Sequence, residues 1–132
     1  MRRESTPPMG PEILLVDDNA IQAATRKAVL SRLGRIVAIA GSGEQALQML
    51  DTADRVGLVI TDHLMPGMNG PEFVAELRER FPHLPVMVLS GLAEAEDEYG
   101  ELDVTFRMKP LPPDQLLTLV RSLLAEPIAR TA

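Results

Sequence analysis

The sequence predicts an open, doubly wound α/β sheet with helices on both faces. Three observations carry that expectation. Short apolar runs alternate with helical patterns five times along the chain. Most of those runs are apolar at every position, as strands must be when helices cover both faces of a parallel sheet. Of 132 residues, 45% are hydrophobic but only 3% aromatic, which gives an aliphatic core sized for one domain.

The first strand is "EILLV" (12–16). After it Ile21, Ala24 and Ala28 recur at helical spacing, which predicts them as the inner face of the first helix, with Gly34 as its stop. "IVAIA" (36–40) is the second strand, and Ser42 with Gln45 fits a capping box at the head of "EQALQML". "LVI" (58–60) is the third strand, and Asn69 with Glu72 repeats the cap ahead of Phe73, Val74, Leu77 and Phe81. "PVMVL" (85–89) is the fourth. Its helix must fit between Leu92 and Gly100, barely two turns at ~3.6 residues per turn. Glu94, Glu96, Asp97 and Glu98 crowd that space, and like charges at neighbouring positions weaken a short helix. "VTFRM" (104–108) is the fifth strand. The last helix places Leu116, Leu117, Val120, Leu123 and Leu124 on one face, with Pro113 near its first position. The expected organisation is a disordered lead-in over 1–11, one folded domain over 12–125 and a tail over 126–132.

Composition excludes several classes of function. The chain has no cysteine, hence no disulfide, thiolate nucleophile or cysteine metal site. A formal charge of −6 with scattered basic residues argues against nucleic acid, since phosphate binding needs a basic face. No apolar run approaches the ~20 residues that span a bilayer, and "MRRESTPPMGPE" lacks the apolar stretch of a signal peptide. A cytoplasmic protein without membrane contact is expected. The acidic stretch "EAEDEYGELD" (94–103) reads as a solvated face.

Chemistry in such sheets gathers beyond the carboxyl ends of the strands. Strand one ends in Asp17 and Asp18, strand three in Asp62, strand four in Ser90, and strand five in Lys109 followed by Pro110. The alternation puts all of them on one rim. Three clustered carboxylates repel one another. A hard divalent cation relieves this, and Mg²⁺ favours one or two carboxylates, several waters and phosphate oxygens. Lys109 supplies a compact positive charge for the same phosphate, and the Ser90 hydroxyl can donate to one of its oxygens. The remaining carboxylate can attack phosphorus to give an aspartyl phosphate. Pro66 and Gly67 then shape a tight turn that leaves backbone groups of His63 and Leu64 facing the site.

The motifs "LLVDDN", "DHLMPGMNG", "VLSG" and "KP", in this order, resemble the receiver domain of two-component response regulators over roughly residues 12 to 125. The resemblance implies a flavodoxin-like strand order 2-1-3-4-5, which sets strands one and three side by side and brings Asp17, Asp18 and Asp62 together. It implies Asp62 as phosphoacceptor, Asp18 as direct Mg²⁺ ligand, Asp17 acting more through water, and the Leu64 carbonyl completing the coordination. It further implies Ser90 as switch hydroxyl, Phe106 as switch aromatic, Lys109 ahead of a cis proline, and backbone contacts to the phosphoryl group from His63 and Gly91. Two departures stand out: Gly91 replaces a usual alanine, and Phe106 lacks the hydroxyl of the common tyrosine.

Each of these residues alone has a plainer reading. Asp18 or Asn19 could simply cap a helix, Ser90 could be a loop hydroxyl, Lys109 a solvated charge and Phe106 a core residue. His63 and His83 show no metal-ligand pairing and read as surface histidines. "GSGEQA" (41–46) matches a Gly-x-Gly-x-x-Ala dinucleotide fingerprint, but after the second strand instead of the first. The expected function is therefore Mg²⁺-dependent acceptance of a phosphoryl group from a histidine kinase or histidine phosphotransfer protein. Such a domain is a self-modifying switch read by a protein partner. A dinucleotide-binding domain and a receiver-like scaffold that is never phosphorylated are the alternatives. The residues after Leu124 are too few for an effector domain, so the chain is expected to stand alone or to be the receiver of a hybrid histidine kinase.

Overall fold

The computed structural model describes residues 10–124. The expected lead-in, apart from residues 10 and 11, and the expected tail lie outside the described residues. The chain runs β1 (Ile13–Val16), α1 (Ala20–Leu30), β2 (Val37–Ala40), α2 (Gly43–Thr52), β3 (Leu58–Asp62), α3 (Gly70–Arg80), β4 (Val86–Ser90), β5 (Thr105–Met108) and α4 (Pro113–Leu123). All five strands are parallel, in the order β2-β1-β3-β4-β5.

Because side chains alternate along a strand, β1 to β4 each feed two cores, and β5 feeds one of them through Phe106. Leu14, Val16, Val59, Val86, Val88 and Phe106 face one side, where α2 brings Leu47 and Leu50 and α3 brings Phe73, Val74 and Leu77. Ile13, Leu15, Leu58, Ile60, Met87 and Leu89 face the other, against Leu30 of α1 and Leu116, Leu117 and Val120 of α4. Burying each such side chain contributes ~1.5–3 kcal/mol, so these two layers, more than any surface pair, fix the register that brings the strand ends level.

Local signals explain where elements start. Asn69 accepts from the Glu72 amide while the Glu72 carboxylate accepts from the Asn69 amide, a complete capping box. At α2 the box is half made: Ser42 accepts from the Gln45 amide, but Gln45 reaches back to Gly41. Gly34 ends a 3₁₀ turn over Ser31–Leu33 with φ of 74°, a conformation that favours glycine. The dinucleotide fingerprint has a packing explanation. Gly43 stands where an added Cβ would lie 3.1 Å from the Phe73 ring, and it follows the edge strand β2.

Two expectations are corrected. Five α-helices were expected, but the segment after β4 is a 3₁₀ helix, Ala93–Tyr99, too short and too acidic for a regular one. The inner face of α1 is not Ile21, Ala24 and Ala28: Ile21 is 80% exposed, and Ala23 and Leu30 are the buried residues. The inner stripe is Gln22, Ala23, Arg26, Val29 and Leu30, two of them polar. Apolar spacing alone selects the wrong face because this helix borders charge.

Candidate functional site: an acidic pocket at the strand ends

The register sets Val16 opposite Thr61 and Asp62 opposite Leu89, so the residues that follow β1 and end β3 share one rim. Asp17, Asp18 and Asp62 each offer a carboxylate oxygen, and all three oxygens lie within 4.8 Å of one another. Asp17 and Asp62 are buried; Asp18 is exposed. One Asp17 oxygen, Oδ1, accepts from the Asn19 amide at 2.9 Å, and the other, Oδ2, from Arg26 Nη1 at 3.0 Å. Asp62 is 4% exposed. Its Oδ1 has Lys109 Nζ at 3.1 Å and Arg26 Nη1 at 3.6 Å, yet it is a buried atom with no well-aligned hydrogen bond. Burial, then the neighbouring Asp17, pushes the Asp62 carboxyl up to about 6, against the pull of Lys109.

Lys109 reaches the pocket from the end of β5. Its amide donates to the Ser90 carbonyl at 2.8 Å, and the Lys109–Pro110 bond is cis. Gln22 Oε1 accepts from both Lys109 Nζ, at 3.2 Å, and Arg26 Nη2, at 3.0 Å. Ser90 is buried at the end of β4; its Oγ donates to the Leu92 carbonyl and accepts from the Leu92 amide. Phe106 is buried and its ring lies 6.2 Å from that of Tyr99. Gly91 is exposed, and an added Cβ there would meet nothing within 4 Å.

His63 departs from expectation twice. It is 4% exposed instead of lying on the surface. Its Nδ1 is 2.8 Å from the Tyr99 hydroxyl and its Nε2 is 3.6 Å from a Glu98 oxygen. Burial, with Glu98 adding, raises the Tyr99 phenol above its ordinary range. Nor does the His63 amide face the pocket, because it donates to the Leu89 carbonyl at 2.9 Å and extends the β3–β4 ladder one residue past Asp62. The first amide past that ladder is Leu64, whose side chain is exposed. His83 is exposed, as expected.

Three contributors were not foreseen: Arg26, Gln22 and Tyr99. Arg26 and Gln22 were legible in principle, since both fall on the α1 stripe that ends in Val29 and Leu30. Among the described residues, no helix is long and apolar enough to cross a membrane.

The donor set is all hard oxygen, with one buried oxygen lacking an aligned partner, and it could hold a divalent metal ion. A family model for the response regulator receiver domain matches residues 13–121. The chain belongs to that family. The receiver from Pseudomonas putida has a solved structure with a TM-score of 0.79, at 30% identity over 88% of this chain and 99% of that one. The sensor kinase CckA of Brucella abortus is 33% identical over 116 residues, 85% of this receiver and 12% of that protein. The hydrogenase transcriptional regulatory protein HoxA of Cupriavidus necator is 29% identical over 113 residues, 83% of this receiver and 23% of that protein. The receiver thus spans less than a quarter of the length of these two relatives. Receivers serve two-component signalling, interacting with histidine kinases and output domains.

Proposed function

We propose that this receiver accepts a phosphoryl group on Asp62 from a phosphohistidine, on a histidine kinase or a histidine phosphotransfer protein. The observation that carries the reading is the state of Asp62. Its Oδ1 is buried, without an aligned donor, and faces two cations. A carboxylate so held is fixed by charge and not by a closed set of aligned hydrogen bonds, which leaves its electron pairs free to turn toward phosphorus.

In the transfer, an Asp62 oxygen forms the O–P bond as the N–P bond of the donor breaks. The electron pair returns to the donor imidazole, which takes up a proton. Asp17 and Asp18, with Asp62 and the Leu64 carbonyl, would hold Mg²⁺. When bound, that ion offsets the mutual repulsion of the carboxylates and the charge on the phosphoryl oxygens. Lys109 stays paired with the acceptor oxygen and meets the incoming phosphoryl charge. Ser90 and Phe106 are the switch pair, the hydroxyl leaving Leu92 for a phosphoryl oxygen. The Leu64 and Gly91 amides, not that of His63, complete the cradle. Water reverses the modification by attack at phosphorus, with the carboxylate leaving. The domain over 12–125 thus acts as a cytoplasmic switch without substrate turnover, read by a protein partner. A sensor kinase and response regulators both stand among its relatives, so a hybrid-kinase receiver and a regulator receiver are both supported.

The test is intact-mass analysis after acetyl phosphate with Mg²⁺. One phosphoryl group should add to the wild type and none to Asp62→Asn; an Asp62→Asn protein modified at the normal rate overturns the reading.

A further inference from the structure

We propose that Arg26 is a second working cation of the acceptor site, one that exchanges partners. In the free protein it holds Asp17 against the divalent ion, and after modification it pairs with the phosphoryl oxygens. The inference rests on the reading of Asp62 given above and extends it to a residue of α1.

The geometry begins with the helix. Gln22 and Arg26 lie four apart, so they face the same way, and the Asn19 cap aims that face at the strand ends. The Arg26 side chain is only 16% exposed. Its Nη1 lies between Asp17 Oδ2, at 3.0 Å, and Asp62 Oδ1, at 3.6 Å. Nη2 is anchored on Gln22 Oε1, which also takes Lys109 Nζ. One amide oxygen therefore holds two like charges side by side, which is tolerable only because two buried carboxylates face them.

Two consequences follow from the charges. Both Asp17 oxygens are occupied, Oδ1 by the Asn19 amide and Oδ2 by Arg26. A divalent ion that uses Asp17 must share or displace the guanidinium. Three carboxylates facing two cations carry a net −1; without Arg26 the pocket would carry −2 and attract the ion more. Phosphorylation adds negative charge next to the oxygen that Arg26 already approaches. A planar guanidinium forks onto phosphate oxygens better than onto a shared carboxylate corner. Arg26 therefore weakens the metal in the free state and strengthens the phosphorylated one.

The expected signature is a crossing of signs. In the 132-residue chain, Arg26→Gln should bind Mg²⁺ about tenfold more tightly by calorimetry, since a unit charge ~5 Å from a divalent ion matters by that much even in water. The same variant, at saturating Mg²⁺, should bind beryllofluoride more weakly by about tenfold or more, read by fluorine NMR. Arg26→Lys should fall between Arg26→Gln and wild type in both. A purely structural arginine would weaken both ligands together, and that result, or no change in either, overturns the proposal. Tighter Mg²⁺ with unchanged beryllofluoride overturns the exchange. If Arg26→Gln fails to fold, Gln22→Ala, which frees the guanidinium without removing it, should shift both affinities in the same directions by less; no shift there also overturns it. A wild type that takes up neither Mg²⁺ nor beryllofluoride instead refutes the phosphoacceptor reading, which separates the two failures.

Discussion

Asp62→Asn should make the metal-free protein more stable, by an amount that depends on pH. The wild-type carboxyl is raised to about 6 by burial and by Asp17, while in the unfolded chain it titrates at the ordinary carboxylate value. Folding therefore favours the protonated form. The stability this lends is fully present below the unfolded pKa and is lost as pH rises through about 6. Above that, the ionised Asp62 costs up to roughly 3 kcal/mol. Asparagine is a permanent stand-in for the neutral acid and avoids the cost. The value of about 6 is already net of the pull of Lys109, so the gain is at most about 3 kcal/mol, roughly 10 °C in Tm for a domain of this size. The assay is urea unfolding followed by circular dichroism in EDTA, from about pH 4 to pH 8. The gap between variant and wild type should be full at the upper end, narrow through about pH 6 and close near the lower end. A gap that ignores pH, or an asparagine variant less stable at the upper end, would refute this account of Asp62.

Asp18→Ala should abolish measurable Mg²⁺ binding while the metal-free protein unfolds at the same urea concentration or a higher one, because a repelling charge has gone; an unchanged Mg²⁺ titration removes Asp18 from the metal site. Replacing the 67%-exposed Leu64 with Asn should shorten the phosphoryl lifetime severalfold by admitting water; equal or slower decay of radiolabelled phosphate counts against shielding. Gly70→Ala should cost about 2–4 kcal/mol in urea unfolding, since its Cβ would collide with the Tyr99 hydroxyl and lie 2.9 Å from the His63 carbonyl; a neutral effect would mean that Tyr99 moves freely. Sedimentation with beryllofluoride should show no tight dimer through the 3₁₀ segment Ala93–Tyr99, whose acidic residues are exposed; such a dimer would sink that expectation.

The fold was legible because its signals are redundant. Most strands are built on an uninterrupted apolar run, each α-helix but α4 has a side-chain cap at its start, and the parallel order puts every strand's carboxyl end on one rim. The acidic pocket was legible for the same reason. Asp17, Asp62, Ser90 and Lys109 announce themselves by ending or following apolar runs, and the structure brings the three carboxylates and the lysine together. The 3₁₀ segment was half legible: its shortness was visible, but its geometry is decided by Ala95 and Tyr99, which alone in Ala93–Tyr99 are buried. Tyr99 reaches His63, and that contact is long-range, 36 residues apart, with no trace in local pattern.

The misreadings share one physical cause. Periodicity finds the buried face of a helix by assuming that burial means apolar, which holds where a helix packs on a sheet and fails where it packs beside a charged pocket. The first two turns of α1 border Asp17 and Asp62, so their inward positions are best filled by Gln22 and Arg26, which bond there, and Ile21 is turned outward. His63 obeys the same rule: a polar ring is buried because Tyr99 and Glu98 supply partners. Near a charged site the useful sequence question is therefore which polar residues share a stripe with the core. Applied to α1, with Leu30 fixed inside, that question places Arg26 one turn nearer the carboxylates and predicts the ion pair that the apolar count conceals.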